Sequence, residues 1–431
     1  MKYNRISTDL FIKNRSKLGK KLLPESAIIL HSNDEMHRNG DQNFRFRQSS
    51  DFFYLTGVDQ EKSILLMNPD HPEEKFREIL FIMNTSPEQV TWNGYRLSLS
   101  EAAQISGIKN VKWLDDYEKV LPEILYRSLN IYLNIQEHIK YRPDVESRDV
   151  RKAKEIQSAY PLHTYKRLAP VLSDIRMIKE PEEISLIKTS AAITRDAFLR
   201  VLKFTKPGVM EYEVEAEISH EFIRQAANGH AYEPIIACGA NACILHYIDN
   251  NQQCKDGDLL LMDFGAEYGN YAADLTRTIP VNGTFNPRQA NVFDANLRVL
   301  REAIKRMKPG VLLSDFNREV GSLWEEEHIR LGLYSLKDAK RNRQPQALWT
   351  KYYMHGTSHS IGLDVHDAFD KTETFRPGMV FSCEPAIYIV EEGLGIRLEN
   401  DILITENGNI DLTGDIPVER EEIEALMARK S

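Results

Sequence analysis

Residues Leu259 to Thr278 read LLLMDFGAEYGNYAADLTRT. The four large apolar side chains Leu259 to Met262 have the composition and length of a buried strand, and they run straight into the carboxylate of Asp263. A buried strand does not end in a charge unless that charge has a partner. Beyond it, Glu267-Tyr268-Gly269-Asn270 supplies turn residues, and the chain returns through Tyr271 to Thr278. With a two-residue loop at 268–269 or 269–270, strict alternation places Asp263 and Asp274 on one face. They stand directly opposite in the first register and diagonally in the second. A bulge would break the relation.

The pattern recurs. Lys255-Asp256-Gly257 leads into the strand ending in Asp263, and Arg376-Pro377-Gly378 leads into a strand over 379–383 ending in Glu384. In both, a glycine follows two residues after the basic residue and a carboxylate eight after it. Upstream, Lys206-Pro207-Gly208-Val209 is echoed by Lys308-Pro309-Gly310-Val311. Each copy follows a helical pattern (194–205 and 297–307) and precedes another. The second half returns through 395–405, which carries Glu399; a longer connection and Pro385 leave its register open. Two similar halves facing each other would bring Asp263, Asp274, Glu384 and Glu399 to a shared centre.

Four converging carboxylates repel one another, which raises their pKa values, and two divalent cations would neutralise them. Any one of these acids alone reads as a surface or turn residue; the four together with nearby histidines do not. An oxygen-rich set with one imidazole suits Mn²⁺, Fe²⁺, Co²⁺ or Zn²⁺. Two such ions roughly 3.5 Å apart can share a bridging hydroxide, lower its pKa and polarise a carbonyl. Three of the chain's twelve histidines, His355, His359 and His366, fall within HGTSHSIGLDVHD at 355–367. The spacing of His355 and His359 would face one metal on a helix. Gly356, Gly362 and the missing Glu of an HExxH helix argue instead for an extended segment. His246 alone reads as a core histidine. Asp263-Phe264-Gly265 spells the kinase triplet without the loops a kinase needs, and Ser358 beside His359 lacks a nucleophile elbow.

The whole chain fits this chemistry. At 431 residues it is long enough for two cores. With 42% hydrophobic and 28% charged residues it is globular, and a net charge of -9 argues against a nucleic-acid partner. No apolar stretch approaches the roughly 20 residues of a membrane span, and the N-terminus lacks a secretory pattern. Four cysteines without a CxxC pair point to reduced thiols and a cytoplasmic location. The fold class is α/β (α+β). Residues 1–165 form a mixed α/β domain with strands near 27–30, 63–67 and 79–83; 166–178 are a linker; 179–431 form the second domain. Glu180-Pro181-Glu182-Glu183 has the proline and acids of a helix N-terminus.

Asp263, Asp274, His359, Glu384 and Glu399 together resemble the metal-ligand signature of the pita-bread metallopeptidases. The stretch 355–367 looks most like aminopeptidase P; in prolidases Gly usually stands where this chain has Ser358. Phe46 to Gly57, FRQSSDFFYLTG, is similar to the N-terminal domain of the same family. The resemblance implies an aminopeptidase P-like domain followed by a pita-bread domain of two pseudo-equivalent halves. It implies a dinuclear metallo-aminopeptidase, with Mn²⁺ ahead of Co²⁺, Zn²⁺ or Fe²⁺, releasing the first residue of peptides with proline second. A prolyl bond has no N–H to donate, and a metal-activated hydroxide does not need one. By the same resemblance the five residues hold the metals and Glu384 also handles the hydroxide proton. His246 and His366 steady the carbonyl and the tetrahedral intermediate, His355 lines the proline pocket, and Arg397 matches an arginine near the ligands. Trp92 corresponds to a residue reaching a neighbouring subunit's site, in a homo-oligomer (dimer or tetramer). Ala386, Cys238 and Asn241-Ala242 depart from the glycine-rich pattern near the cleft and bear on fine specificity. The alternatives are a prolidase cutting Xaa-Pro dipeptides and a non-catalytic pita-bread module, which would lack the ligands. Methionine aminopeptidases usually lack the N-terminal domain.

Overall fold

The computed structural model describes residues 3–136, 144–342, 346–370 and 372–428, in two compact units that divide between Arg176 and Met177. The first is built on a six-stranded sheet in the order Asn110–Trp113, Glu78–Ile82, Ile64–Met67, Ser26–His31, Asn130–Leu133, Thr164–Arg167. Ser26–His31 pairs antiparallel with Ile64–Met67 and parallel with Asn130–Leu133, and it is buried along its whole length. Burial on both faces is why its middle, Ala27 to Leu30, is continuously apolar. The helix Tyr117–Leu125 buries Tyr117, Val120, Leu121, Ile124 and Leu125, the stripe of a one-sided helix. These pack in one cluster with Ile29, Leu66, Phe81 and Leu133.

The segment 166–178, expected as a linker, carries ordered elements. Thr164–Arg167 is the sheet's edge strand, parallel to Asn130–Leu133, and the helix Ala169–Met177 follows it. The strand escapes a hydrophobicity reading because it is exposed or half-buried throughout, and polar edge strands discourage further pairing.

The second unit contains the duplication. Helices Pro181–Phe204 and Glu211–Arg224 precede the antiparallel sheet Ile235–Cys238, Leu259–Asp263, Thr276–Pro280. Helices Pro287–Arg306 and Leu313–Arg330 precede Val380–Cys383, Asn400–Thr405, Gly408–Asp411. The two Lys-Pro-Gly-Val turns are held alike. Gly208 N donates to the Cys254 carbonyl and Cys254 N to that of Val209; Gly310 N donates to Phe375 and Phe375 N to Val311. One isolated bridge follows each, Met210 to Gln253 and Leu312 to Thr374. The helix expected at Glu180-Pro181 starts there, with Pro181 in the first turn and Glu180 N donating to Glu183 Oε2 at 2.9 Å.

The hairpin after Asp263 turns at Gly269-Asn270, both with positive φ (58° and 65°), as a two-residue hairpin turn requires. Tyr268 pairs with Tyr271 and Asp263 with Thr276, so the second register holds and Asp274 lies diagonally from Asp263. The ladder opens between these pairs without gaining or losing a residue. Gly265 sits at this opening, and a Cβ there would lie 1.8 Å from the Ala273 carbonyl oxygen. Gly265→Ala is therefore expected to cost roughly 3 kcal/mol, the upper end for overpacking, and to weaken metal binding by displacing Asp274. Chemical denaturation and metal titration check it; an unchanged midpoint would show that the carbonyl can yield. Among the described residues no helix is long and apolar enough to cross a membrane.

Candidate metal centre

Asp263 ends the central strand of the first sheet, paired with Ile235 on one side and Thr276 on the other. Asp274 lies on the returning arm, its backbone N–H donating to Asp401 Oδ2 at 3.1 Å. The Tyr232 hydroxyl lies 2.6 Å from Asp263 Oδ1 and 2.5 Å from Asp274 Oδ1, so both acids point to one place. Burial, then the charges of Asp263 and Asp274, holds the Tyr232 pKa well above its ordinary value and keeps the group a neutral donor.

The second half contributes the rest. Ser360 bridges to Phe381, Ile361 N donates to Val380 O and Ser382 N to His359 O, so the glycine-flanked segment is extended along the strand Val380–Cys383. His359 Nε2 thereby comes within 3.3 Å of Asp274 Oδ2 and 3.6 Å of Glu384 Oε1. Glu399 lies between the strands Leu394–Arg397 and Asn400–Thr405, accepting from Thr276 Oγ1 at 2.6 Å. One ligand atom each from Asp274, His359 and Glu399 fall within 4.8 Å of one another. Arg397 is 4% exposed and donates Nη2 to Asp263 Oδ2 at 2.7 Å and Nη1 to the Tyr388 hydroxyl at 2.8 Å.

These residues fit a divalent metal pair on their own chemistry. Four carboxylates face the Arg397 guanidinium and the imidazoles of His359 and His355, and a single phenolic proton cannot satisfy both aspartates at once. Burial first, then neighbouring acids, raises Glu399, Asp274 and Glu384 above the carboxylate range. Burial opposes the charge of His359, but hydrogen bonding to Asp274 and the charge of Glu384 outweigh it and set its pKa at about 9. Without added positive charge the cluster holds protons it would otherwise release.

His355 and His366 flank this centre. His355 Nε2 is 2.9 Å from the Tyr388 hydroxyl and its Nδ1 is 3.6 Å from Glu384 Oε2. Burial lowers its pKa to about 4, with lesser contributions from the charges of Arg397 and His246. His246 thus stands within electrostatic reach of His355, in an exposed turn and not in the core. The His366 ring packs edge-on to His359 with centroids 4.3 Å apart. Ser358, set aside as a nucleophile, donates its hydroxyl to the Ser382 carbonyl at 2.5 Å.

Comparison with known proteins identifies the family. The sequence profile of metallopeptidase family M24 matches residues 185–406, and that of the aminopeptidase P N-terminal domain matches 11–132. The Xaa-Pro aminopeptidase of Haemophilus influenzae is 35% identical, covering 98% of both chains. The chain belongs to metallopeptidase family M24. The Escherichia coli Xaa-Pro aminopeptidase is 33% identical across 99% of this M24 chain and 100% of that protein. Among solved structures, E. coli aminopeptidase P with the inhibitor Pro-Leu superposes with a TM-score of 0.88 at 32% identity, covering 99% of both chains. The pita-bread fold and the resemblance to aminopeptidase P are borne out. This M24 member is a metal-dependent aminopeptidase.

Sequence reasoning missed four residues of the M24 site. Tyr232 precedes its strand in an irregular segment and gives no periodic signal. Thr276 bridges Glu399 and Arg397, accepting from Arg397 Nε at 3.2 Å. Tyr388 and Asp401 were within reach: period two from Glu384 leads to Tyr388, and from Glu399 to Asp401.

Proposed function

We propose that the chain releases the N-terminal residue from peptides whose second residue is proline. Full-length similarity to proteins named Xaa-Pro aminopeptidase, across both units, carries this reading. Asp263, Asp274, His359, Glu384 and Glu399 hold the metal ions, with Mn²⁺ preferred over Co²⁺, Zn²⁺ or Fe²⁺ for the oxygen-rich donor set. The metals, when bound, supply Lewis acidity and an acidified water. Glu384 accepts the proton of the attacking water; its side chain is 19% exposed against 5% for Asp274, so it is the more accessible acid. His246 and His366, both exposed, donate to the carbonyl oxygen as it gains charge, and neutral His355 lines the proline subsite beside Tyr388. Arg397 holds Asp263 in place.

Turnover of an Xaa-Pro-Xaa tripeptide against the Xaa-Pro dipeptide and an Xaa-Ala-Xaa control tests the reading. The tripeptide should exceed the alanine control by on the order of a hundredfold; preference for the dipeptide would make the protein a prolidase instead. His246→Ala should lower kcat roughly a hundred- to a thousandfold, as for loss of an oxyanion donor, with metal content unchanged. Loss of metal would make His246 a ligand. We also propose a cytoplasmic homo-oligomer, a dimer or tetramer. Four free cysteines support the reducing compartment. Trp92, 81% exposed on the helix Pro87–Asn93, supports contact with a second subunit. Sedimentation would measure the assembly.

A further inference from the structure

The loop 239–252 between the strands Ile235–Cys238 and Leu259–Asp263 carries His246 in an exposed turn. A turn on a loop of this length does not hold an imidazole at a fixed point unless something stiffens it. Beneath the loop lies Glu211, fully buried, its carboxylate surrounded by donors. Oε1 accepts from Cys238 N at 2.8 Å and Asn241 Nδ2 at 3.3 Å; Oε2 accepts from the Tyr247 hydroxyl at 2.8 Å and Gln252 N at 2.9 Å. These donors mark the start of the loop, its first turn, the residue beside His246, and its end.

Hydrogen bonds to a buried charge are the strong ones, and the carboxylate has no solvent to replace a lost donor. Its position in the first turn of Glu211–Arg224 also sets the negative charge at the positive end of the helix dipole. The duplication provides an internal control. Counting from the matched turns, Met210 corresponds to Leu312 and Glu211 to Leu313, which is buried as an ordinary apolar residue. Starting this helix therefore does not demand an acid. Only the copy beneath the His246 loop has one. Asn250, near the end of the loop, supplements the clasp: its Oδ1 accepts from Ile236 N and its Nδ2 donates to Pro234 O and Glu215 Oε2, but Glu211 is the one that also bonds Tyr247, the residue beside His246.

We propose that Glu211 is a positioning residue that clasps both ends of the 239–252 loop and so fixes His246 over the metal centre. The inference rests on the role given to His246 under Proposed function. Glu211→Gln replaces one acceptor oxygen with an amide that must face donors. Loop order is read by hydrogen exchange of peptides covering 239–252, and function by kcat and KM on an Xaa-Pro tripeptide with metal content measured alongside. Expected are faster exchange confined to this loop and a roughly ten- to hundredfold fall in kcat, the scale of a small misplacement. KM and metal content should stay within about twofold of the wild type. In the His246→Ala background the same substitution should cost little more, because the group it positions is gone. Tyr247→Phe removes one of the four donors without burying a mismatched amide and should give a smaller change of the same kind, which keeps the test open should Glu211→Gln fail to fold. Unchanged exchange in the loop, or full additivity with His246→Ala, overturns the proposal. A loosened loop with a fully active His246→Ala enzyme would instead overturn the role of His246 and leave the clasp standing.

Discussion

Replacing Glu384 with Gln is expected to remove roughly 10²- to 10⁴-fold of kcat, the worth of a positioned general base, while the protein folds and melts as the wild type does. Glu384 follows the strand Val380–Cys383, its backbone N–H donating to Thr357 O at 2.9 Å, so its Cα is fixed whatever the side chain. The carboxylate stands between His359 Nε2 and His355 Nδ1, 3.6 Å from each. Gln keeps the volume and one oxygen but cannot take a proton at neutral pH. It also removes one charge from a group of acids whose pKa values burial and repulsion already raise, so the metal-free protein should be no less stable. Kinetics, thermal unfolding and metal content on one preparation separate the cases. Near wild-type kcat would remove Glu384 from the proton-transfer role. Lost turnover together with a lowered melting temperature would make its contribution structural.

The parts of this site that were legible share a property: each places a polar group where an apolar run has no use for it. Asp263 at the end of Leu259–Met262 and Glu384 at the end of 379–383 are of this kind, and the paired Lys-Pro-Gly-Val turns tie the two together. What was not legible depends on contacts between halves far apart in sequence. Thr276 reaches Glu399 and Arg397 reaches Asp263 across more than a hundred residues, and no local period encodes such a pairing. Tyr232 reaches Asp263 and Asp274 within its own half, but from an irregular segment that carries no period. Glu211 shows a different limit, since acids are common in first turns and one that solvates a helix end reads the same as one buried beneath a loop. Only its replacement by Leu313 in the second copy sets it apart. The edge strand Thr164–Arg167 was missed because alternation needs one buried face, and this strand has none.

Removing the metals should abolish activity, with Mn²⁺ or Co²⁺ restoring it, and should leave a protein whose stability falls as pH rises from 5 to 8. The sign follows from the metal-free cluster. Burial first, and then mutual repulsion, raises the carboxyls of Glu399, Asp274 and Glu384 above their unfolded values, and Asp401 behind them is raised the same way. His359, at about 9, is raised as well. Between the unfolded carboxyl values near 4 and the raised ones, the folded chain binds protons that the unfolded chain has released. Stability is then fully present below the unfolded values and is lost as pH climbs through the folded ones. For His359 the same loss runs from about pH 6.5 to about 9. Bound cations take the place of those protons and should flatten the slope. The gain in melting temperature on adding Mn²⁺ to chelated protein should therefore be larger at pH 8 than at pH 5, reaching roughly 10 °C at a thousandfold excess over Kd. Activity that survives excess chelator would sink the metal mechanism. A metal-free protein that grows more stable between pH 5 and 8 would show that the acids are held ionised by some other positive group, and the case for a dinuclear centre would lose its electrostatic basis.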